Sequence, residues 1–208
     1  TEIYTLSLHD ALPIFPPAGL SVADLCTGSG YLALAAATEG AAAVTALDVC
    51  PLAVECAQSN AQRVSADITV LQGDWLRAKE FGPFDLVLAN PPYVPGDRHV
   101  LLDDVVPASA GTALAFHAGV SGRLVLDPLC TRAHELLGPH GVLLLVQSEF
   151  ADVSQTVYAL AATGLTAEII AEQYVPFGPV MSARAPWLER MGRSEEHKSE
   201  LQSPNTIS

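Results

Sequence analysis

The chain has 208 residues, half of them hydrophobic and 16% charged, which suits one domain with a substantial core and excludes wholesale disorder. Ten basic residues against 23 acidic ones give a net charge of −13. That is the wrong sign for a broad electrostatic grip on nucleic acid, though not for a small basic groove on an acidic protein.

At the ends, residues 4–14 read YTLSLHDALPI and residues 193–203 read RSEEHKSELQS. Both resemble in-frame translations of common sequencing adapters, the tail departing from the usual reading at Lys198. The expectation is a non-native peptide over 1–14, one domain over 15–192 that is truncated at both ends, and a non-native tail over 193–208. The first fifteen residues lack the basic start of a secretory signal, and no apolar run reaches the roughly 18 residues of a membrane span. Cys26, Cys50, Cys56 and Cys130 form no CxxC pair and have no histidine at a zinc spacing. They are expected to be reduced, mostly buried thiols in a cytoplasmic protein.

In chain order, Ser21–Leu25 reads as a short strand before a glycine-rich turn, and Tyr31–Thr38 as an alanine-rich helix. Residues 43–47 form a second strand that ends at Asp48. Pro51 suits the first position of a helix, where its missing N–H is no loss. Leu52, Cys56, Asn60 and Val64 then repeat every four residues and mark one helical face. Strands follow at 68–71 and Phe84–Ala89. Residues 123–137 read as a helix stopped by Gly138-Pro139, and 141–146 as an apolar strand buried on both faces. Residues 150–162 read as a helix ended by Gly164, and 165–174 as a sixth strand. This alternation predicts an α/β fold, a doubly wound, mostly parallel sheet with helices on both faces. Residues 92–120 are the irregular part, placed after the fourth strand on the edge where such sheets bind ligands.

The first turn, Asp24-Leu-Cys-Thr27-Gly28-Ser29-Gly30, has the glycines that let backbone approach a ligand and a helix start that offers free N–H groups. Asp48, 18 residues after Gly30, can accept both hydroxyls of a ribose. Gly28-Ser-Gly30-Tyr-Leu-Ala33 also fits the dinucleotide pattern GxGxx(G/A), so a nicotinamide enzyme competes here. Two features favour S-adenosylmethionine (SAM). Asp24 suits the ammonium of its methionine end, and Asp74-Trp75 supplies a carboxylate for the adenine amino group and an indole that can stack on the ring.

Asn90-Pro91-Pro92-Tyr93 follows the fourth strand directly. An amide or exocyclic amino nitrogen is a poor nucleophile, because its lone pair is delocalised. The Asn90 side-chain oxygen and the Pro91 carbonyl can accept its two N–H groups, aim it at a sulfonium methyl and stabilise the charge that develops on it. Pro91 and Pro92 stiffen the turn, and Tyr93 can stack on a planar substrate group. The leaving group is a neutral thioether, so the chemistry calls for no metal.

The run VADLCTGSG…ALDV…GDW…FDLVLANPPYVP resembles class I SAM-dependent methyltransferases with their Rossmann-like fold. Within that superfamily it is similar to the short HemK-type protein glutamine-N5 methyltransferases, over roughly residues 17–192. The resemblance implies a cofactor site formed by Asp24, Thr27, Gly28, Ser29, Gly30, Asp48, Val49, Asp74, Trp75 and Asn90. It implies catalytic residues Asn90, Pro91, Pro92 and Tyr93, a peptide chain release factor as substrate, and in some short members a small activator subunit, while the alanine- and arginine-rich, lysine-poor composition suggests a bacterial source. Three departures stand out. The segment that closes over SAM is replaced by the adapter-like peptide, the last hydrophobic strand by the adapter-like tail, and His117 stands where an acidic residue is common. Methylation of a nucleic-acid amino group (adenine N6 or guanine N2) or of a small molecule remains open on the same geometry, as does a non-enzymatic SAM-binding module. Among other residues, His99, His117, His134 and His140 lack ligand spacing. Arg98, Arg123 and Asp103-Asp104 are expected to be solvated, and Met181 and Trp187 to pack.

Overall fold

A computed structural model describes residues 2–4, 12, 15–96, 115, 118–172, 174–177 and 179–192. The elements are β1 (Glu2–Tyr4), β2 (Ser21–Leu25), α1 (Tyr31–Thr38), β3 (Ala43–Asp48), α2 (Pro51–Val64), β4 (Thr69–Gln72), β5 (Phe84–Ala89), α3 (Leu126–Arg132), β6 (Leu137–Leu145), α4 (Val153–Ala162), β7 (Tyr174–Pro176) and α5 (Pro179–Arg190). Short 3-10 turns occupy Trp75–Glu80, Ala133–Glu135 and Glu149–Ala151.

Five strands form one sheet in the order β4-β3-β2-β5-β6, and every neighbouring pair is parallel. The expected doubly wound sheet is therefore present. The chain runs outward from β2 through β3 to β4, then crosses back to lay β5 on the other side of β2. That reversal makes β2 the switch point of the sheet, where the C-terminal strand ends open a crevice.

The period of two along each strand divides the core between the two faces. Val22, Val44, Ala46, Leu86, Leu88 and Leu144 pack on one side with Ala33 and Ala36 of α1. Ala23, Leu25, Leu47, Val87 and Ala89 pack on the other with Trp75, Ala78, Leu129 and Leu136. A third cluster joins Val94, Phe150, Val180, Met181 and Leu188, with Tyr93, Phe177 and Trp187 against it. Met181 and Trp187 are packing residues, as expected. Leu12 is fully buried in the first cluster, and β1 pairs antiparallel with β7.

Several expectations need correction. The face of α2 marked by Leu52, Cys56, Asn60 and Val64 is the outer one, with Leu52 and Val64 both 60% exposed. Val54, Ala57 and Ala61 are buried instead, because small side chains let the helix lie close to the turn before α1. An added Cβ at Gly30 would stand 3.0 Å from Ala57 Cβ. The helix expected over 123–137 is only α3 and a 3-10 turn, and β6 begins at Leu137, before Gly138-Pro139. Phe84 pairs with Leu137 and Leu86 with Val142, so the Gly-Pro residues bulge out of the ladder before the regular run begins.

The helix expected over 150–162 is broken at Asp152, whose φ is +58°. Its carboxylate accepts from Gln155 N at 2.9 Å and starts α4 afresh. Residues 165–172 form no strand. Leu165 and Ala167 pack beside Cys130 and Leu160, while Ile169 and Ile170 are 55% and 39% exposed. Of the cysteines, Cys50 and Cys130 are buried, Cys26 is half-buried and Cys56 is exposed, and all four are free thiols. No described helix is long and apolar enough to cross a membrane.

Arg123 is not a solvated charge. It is 3% exposed, and its guanidinium donates to Asp127 Oδ1, to the carbonyls of Ala151 and Asp152, and to Thr156 Oγ1. His134 and His140 are exposed. Arg98, His99, Asp103, Asp104 and His117 lie outside the described residues. Arg123→Met would take the guanidinium donor from the Ala151 and Asp152 carbonyls and from Thr156 Oγ1. A loss of about 3 kcal/mol in a denaturant titration is expected, against under 1 kcal/mol for an exposed arginine such as Arg63.

Candidate active site

Asp24 is the centre from which the site is built. Strand alternation turns its side chain to the α1 face of the sheet, and it is fully buried. Oδ2 accepts from Thr27 Oγ1 at 2.5 Å and from Ala33 N, in the first turn of α1, at 3.0 Å. A carboxylate facing a helix N-terminus is favourably placed. Oδ1 has no hydrogen-bond partner. Burial pushes the pKa of Asp24 up from 3.8 to about 7. The bonds from Thr27 and Ala33 oppose that rise, and the charge of Asp48 adds to it.

Closing the loop over Asp24 requires left-handed backbone at Cys26, Gly28 and Gly30, with φ of +57°, +56° and +81°. Glycine takes that conformation freely and cysteine does not. A Cβ at Gly28 would meet nothing within 4 Å, so this part of the loop faces open space. Thr27 N donates to Leu47 O at 3.0 Å and Gly30 N to Thr27 O at 2.9 Å. Asn60 Nδ2 donates to Ser29 O at 2.9 Å. Burial, then the charges of Asp48, Asp24 and Asp74, push the Cys26 thiol up to about 12, so it stays a neutral thiol.

Asp48 ends β3 beside this loop. Its Oδ2 accepts from Gly28 N and its Oδ1 from Cys50 N, each at 2.9 Å. The carboxylate therefore ties the first turn to the start of α2 and is half-buried. Val49 is 47% exposed. On the far side of β3, Gly73 N donates to Asp48 O at 2.9 Å, and Asp74 Oδ1 caps the following 3-10 turn by accepting from Leu76 N at 2.6 Å. Asp74 is exposed, whereas Trp75 is 9% exposed and packs in the second core cluster. The indole is thus a core side chain and not the open stacking surface expected from sequence.

The Asn90-Pro91-Pro92-Tyr93 turn lies on the other flank. Asp24 pairs with Leu88 and Leu25 with Ala89, so both strands deliver their following loops to the same edge. Val146 N bonds Ala89 O at 3.0 Å and fixes the end of β5 from its other side. Asn90 is exposed, Pro91 is buried, and Pro92 and Tyr93 are half-buried. The edge thus carries, in spatial order, Asp74, Asp48, the Asp24–Gly30 loop and the Asn90 turn.

These are the features of a nucleotide-type cofactor crevice with a polar turn beside it, and the comparison with known proteins decides the family. The profile of the methyltransferase small domain matches residues 8–114. The chain belongs to that family of SAM-dependent methyltransferases. It is 30% identical over 164 residues to a Methanocaldococcus jannaschii protein provisionally named a protein N5-glutamine methyltransferase, covering 79% of this chain and 80% of that one. It is 38% identical over 125 residues to the release factor glutamine methyltransferase of Deinococcus radiodurans, covering 60% of this chain and 44% of that one. The chain therefore spans less than half the length of the second protein. A ribosomal protein L11 methylase from Lactobacillus delbrueckii subsp. bulgaricus shares the fold, with a TM-score of 0.58 at 22% identity over 83% of this chain and 78% of that one.

The structure brings Asp24, Asp48 and Asp74, the acidic residues singled out from sequence, to one edge of the sheet. The run Arg184-Ala-Pro-Trp-Leu resembles short family members, but sequence reading assigned Arg184 no role; in the structure it is a buried side chain of α5 that donates to the carbonyls of Val94 and Pro95. Sequence reading also missed the strain at Cys26, although a non-glycine residue next to a Gly-rich turn was a visible signal.

Two expectations follow. Replacing Cys26 by glycine relieves the left-handed strain and removes little packing, so a gain of about 1 kcal/mol in unfolding free energy is expected from a denaturant titration. A loss would show that the half-buried thiol contributes more than the strain costs. For Asp24, a folded pKa raised above the unfolded value means that stability is fully present below pH about 4 and is lost as pH rises through about 7. The ligand-free Asp24→Asn protein should therefore gain on the wild type by on the order of 1.4 kcal/mol per pH unit between those values, with no further gain above. Parallel unfolding curves at all pH values would refute this.

Proposed function

We propose that the chain transfers the methyl group of SAM to the side-chain amide nitrogen of a glutamine in a protein, with a peptide chain release factor as the substrate. The observation that carries this reading is the placement of the Asn90-Pro91-Pro92-Tyr93 turn directly beside the Asp24–Gly30 loop, through the parallel pairing of β2 and β5. The identity to proteins named for glutamine methylation supports it. So does the acidic charge of −13, which suits a protein partner better than a nucleic acid.

The residues fit SAM on two counts. Asp24 Oδ1 is a buried acceptor that still lacks a donor, which suits an ammonium group. The loop at Gly28 faces open space where a side chain would intrude. In this reading Asp24 holds the amino-acid end of SAM, and Thr27, Gly28, Ser29 and Gly30 line it with backbone. Asp48, with one donor on each oxygen and lone pairs to spare, accepts the ribose hydroxyls. Val49 lies beside the base, and Asp74 accepts from the adenine amino group with its oxygen not engaged by Leu76. When bound, SAM supplies an electrophilic methyl on a sulfonium that leaves as a neutral thioether.

The chain's own work is orientation. Asn90 Oδ1 and the Pro91 carbonyl accept the two amide hydrogens, which holds the nitrogen lone pair toward the methyl and stabilises positive charge as it grows on nitrogen. Pro92 keeps the turn stiff, and Tyr93 lines the amide slot. No strong general base is needed, since the methylated nitrogen sheds its proton readily.

The test is the mass of a recombinant release factor after incubation with SAM and this protein. One added methyl on a glutamine is expected. Asn90→Ala should lower that transfer by roughly 10²–10³-fold, with SAM affinity by calorimetry changed less than about threefold. An unmodified factor despite tight SAM binding would redirect the search to another substrate. Equal loss of SAM binding in Asn90→Ala would remove Asn90 from the amide site and make it a cofactor ligand.

A further inference from the structure

The segment after β5 reads Asn90-Pro-Pro-Tyr-Val-Pro-Gly96. Three of its seven residues are prolines and have no N–H to donate. It has few N–H groups with which to brace itself, so donors from elsewhere matter to its carbonyls.

One donor comes from 90 residues away. Arg184 of α5 is 6% exposed, and its Nη1 lies 2.7 Å from Val94 O and 3.1 Å from Pro95 O. The guanidinium lies close to Gly96, where an added Cβ would stand 3.1 Å from Arg184 Cζ. The same face of α5 carries Val180, Met181 and Leu188, which pack against Val94, Phe150 and the ring of Tyr93. From the opposite side, Gly96 N donates to Gly119 O at 3.0 Å. Gly122, at φ +80°, lies so close to the loop that a Cβ there would stand 2.6 Å from Tyr93 O.

Taking the site assignment above as given, we infer that Arg184 is a positioning residue for methyl transfer: it clamps the carbonyls of Val94 and Pro95 and thereby sets the angle at which Asn90 and Pro91 present their oxygens to the substrate amide. Its hydrogen bonds to Val94 O and Pro95 O reach the turn from behind, so it acts through the turn. The clamp acts on the turn alone, since the Asp24–Gly30 loop is held by its own bonds to Leu47, Asp48 and Asn60.

Arg184→Met keeps the apolar stem and removes the donors, and Arg184→Lys restores a single charged donor. Gly96→Ala perturbs the clamp from the other side without touching the arginine. In the ligand-free protein, hydrogen exchange at the Tyr93, Val94 and Gly96 amides should quicken by about tenfold or more in Arg184→Met. It should quicken less in Gly96→Ala, and be partly restored in Arg184→Lys. In methyl transfer to the release factor, kcat should fall about 10–100-fold in Arg184→Met, with the KM for SAM unchanged. The double variant should be little worse than Arg184→Met, because both changes act on one contact.

Unchanged exchange at those amides overturns the clamp, whatever the activity. A raised KM for SAM in step with the lost kcat, or exchange quickened equally in the Asp24–Gly30 loop, would show a general loss of structure and overturn it too. If the wild type fails to methylate the release factor while exchange responds as expected, the substrate assignment falls and the clamp stands.

Discussion

A carboxylate sealed inside the sheet organises this protein. Asp24 is buried with one oxygen satisfied by Thr27 and the first turn of α1, and with the other oxygen empty-handed. Burying such a group is costly, and the whole loop that follows is shaped to hold it. The chain must turn back within nine residues so that Ala33 N reaches Oδ2, and that forces left-handed backbone at three positions. The glycines at 28 and 30 make two of those conformations inexpensive. Cys26 makes the third one costly, and it persists because Asp24 and the bond from Thr27 N to Leu47 O over-determine the turn.

The sheet then multiplies this local arrangement. Parallel strands deliver all their C-terminal ends to one edge, so a loop built after β2 has neighbours built after β3, β4 and β5. Register is pinned at the opposite edge of the sheet, where Asp85 accepts from the backbone and the hydroxyl of Ser21 at 2.9 and 2.7 Å. Those bonds align β5 on β2 and so set the Asn90 turn level with the Asp24 loop. A slip of one residue would reverse the face of every β5 side chain and carry Asn90 away from the crevice.

What could be read from the sequence follows the same division. Strands β2 and β5 and helix α1 were legible to the residue, because each is a short apolar or alanine-rich run bounded by a glycine, aspartate or proline. The placement of Asp24, Gly28, Gly30, Asp48 and Asn90 at one sheet edge was legible because their spacing is local and tied to strand ends. The rest depended on tertiary contacts. The outer face of α2 has the stronger four-residue repeat, yet Ala57 and Ala61 are buried, since close approach to Gly30 selects small side chains over large ones. Trp75 follows a strand end, the place of a ligand contact, but its indole fills the core under β3 and β5. Residues 165–172 have the composition of a strand, but Leu165 and Ala167 pack beside α3 and α4 while Ile169 and Ile170 stay exposed, and no ladder forms. Arg184 stands in a run that resembles the family, but its contacts gave no local signal, since its partners are carbonyls that any sequence would present.

The two halves of the crevice are therefore stabilised by different means. The Asp24–Gly30 loop closes through partners no more than about thirty residues away, so it forms wherever the first βαβ unit forms. The Asn90 turn is proline-rich, has few N–H groups of its own, and takes its shape from the Gly119–Gly122 segment and from α5 at the far end of the domain. The two loops thus rest on different parts of the chain: the Asp24–Gly30 loop on Leu47, Asp48 and Asn60, and the segment after Asn90 on Gly119 and on a buried arginine ninety residues further along.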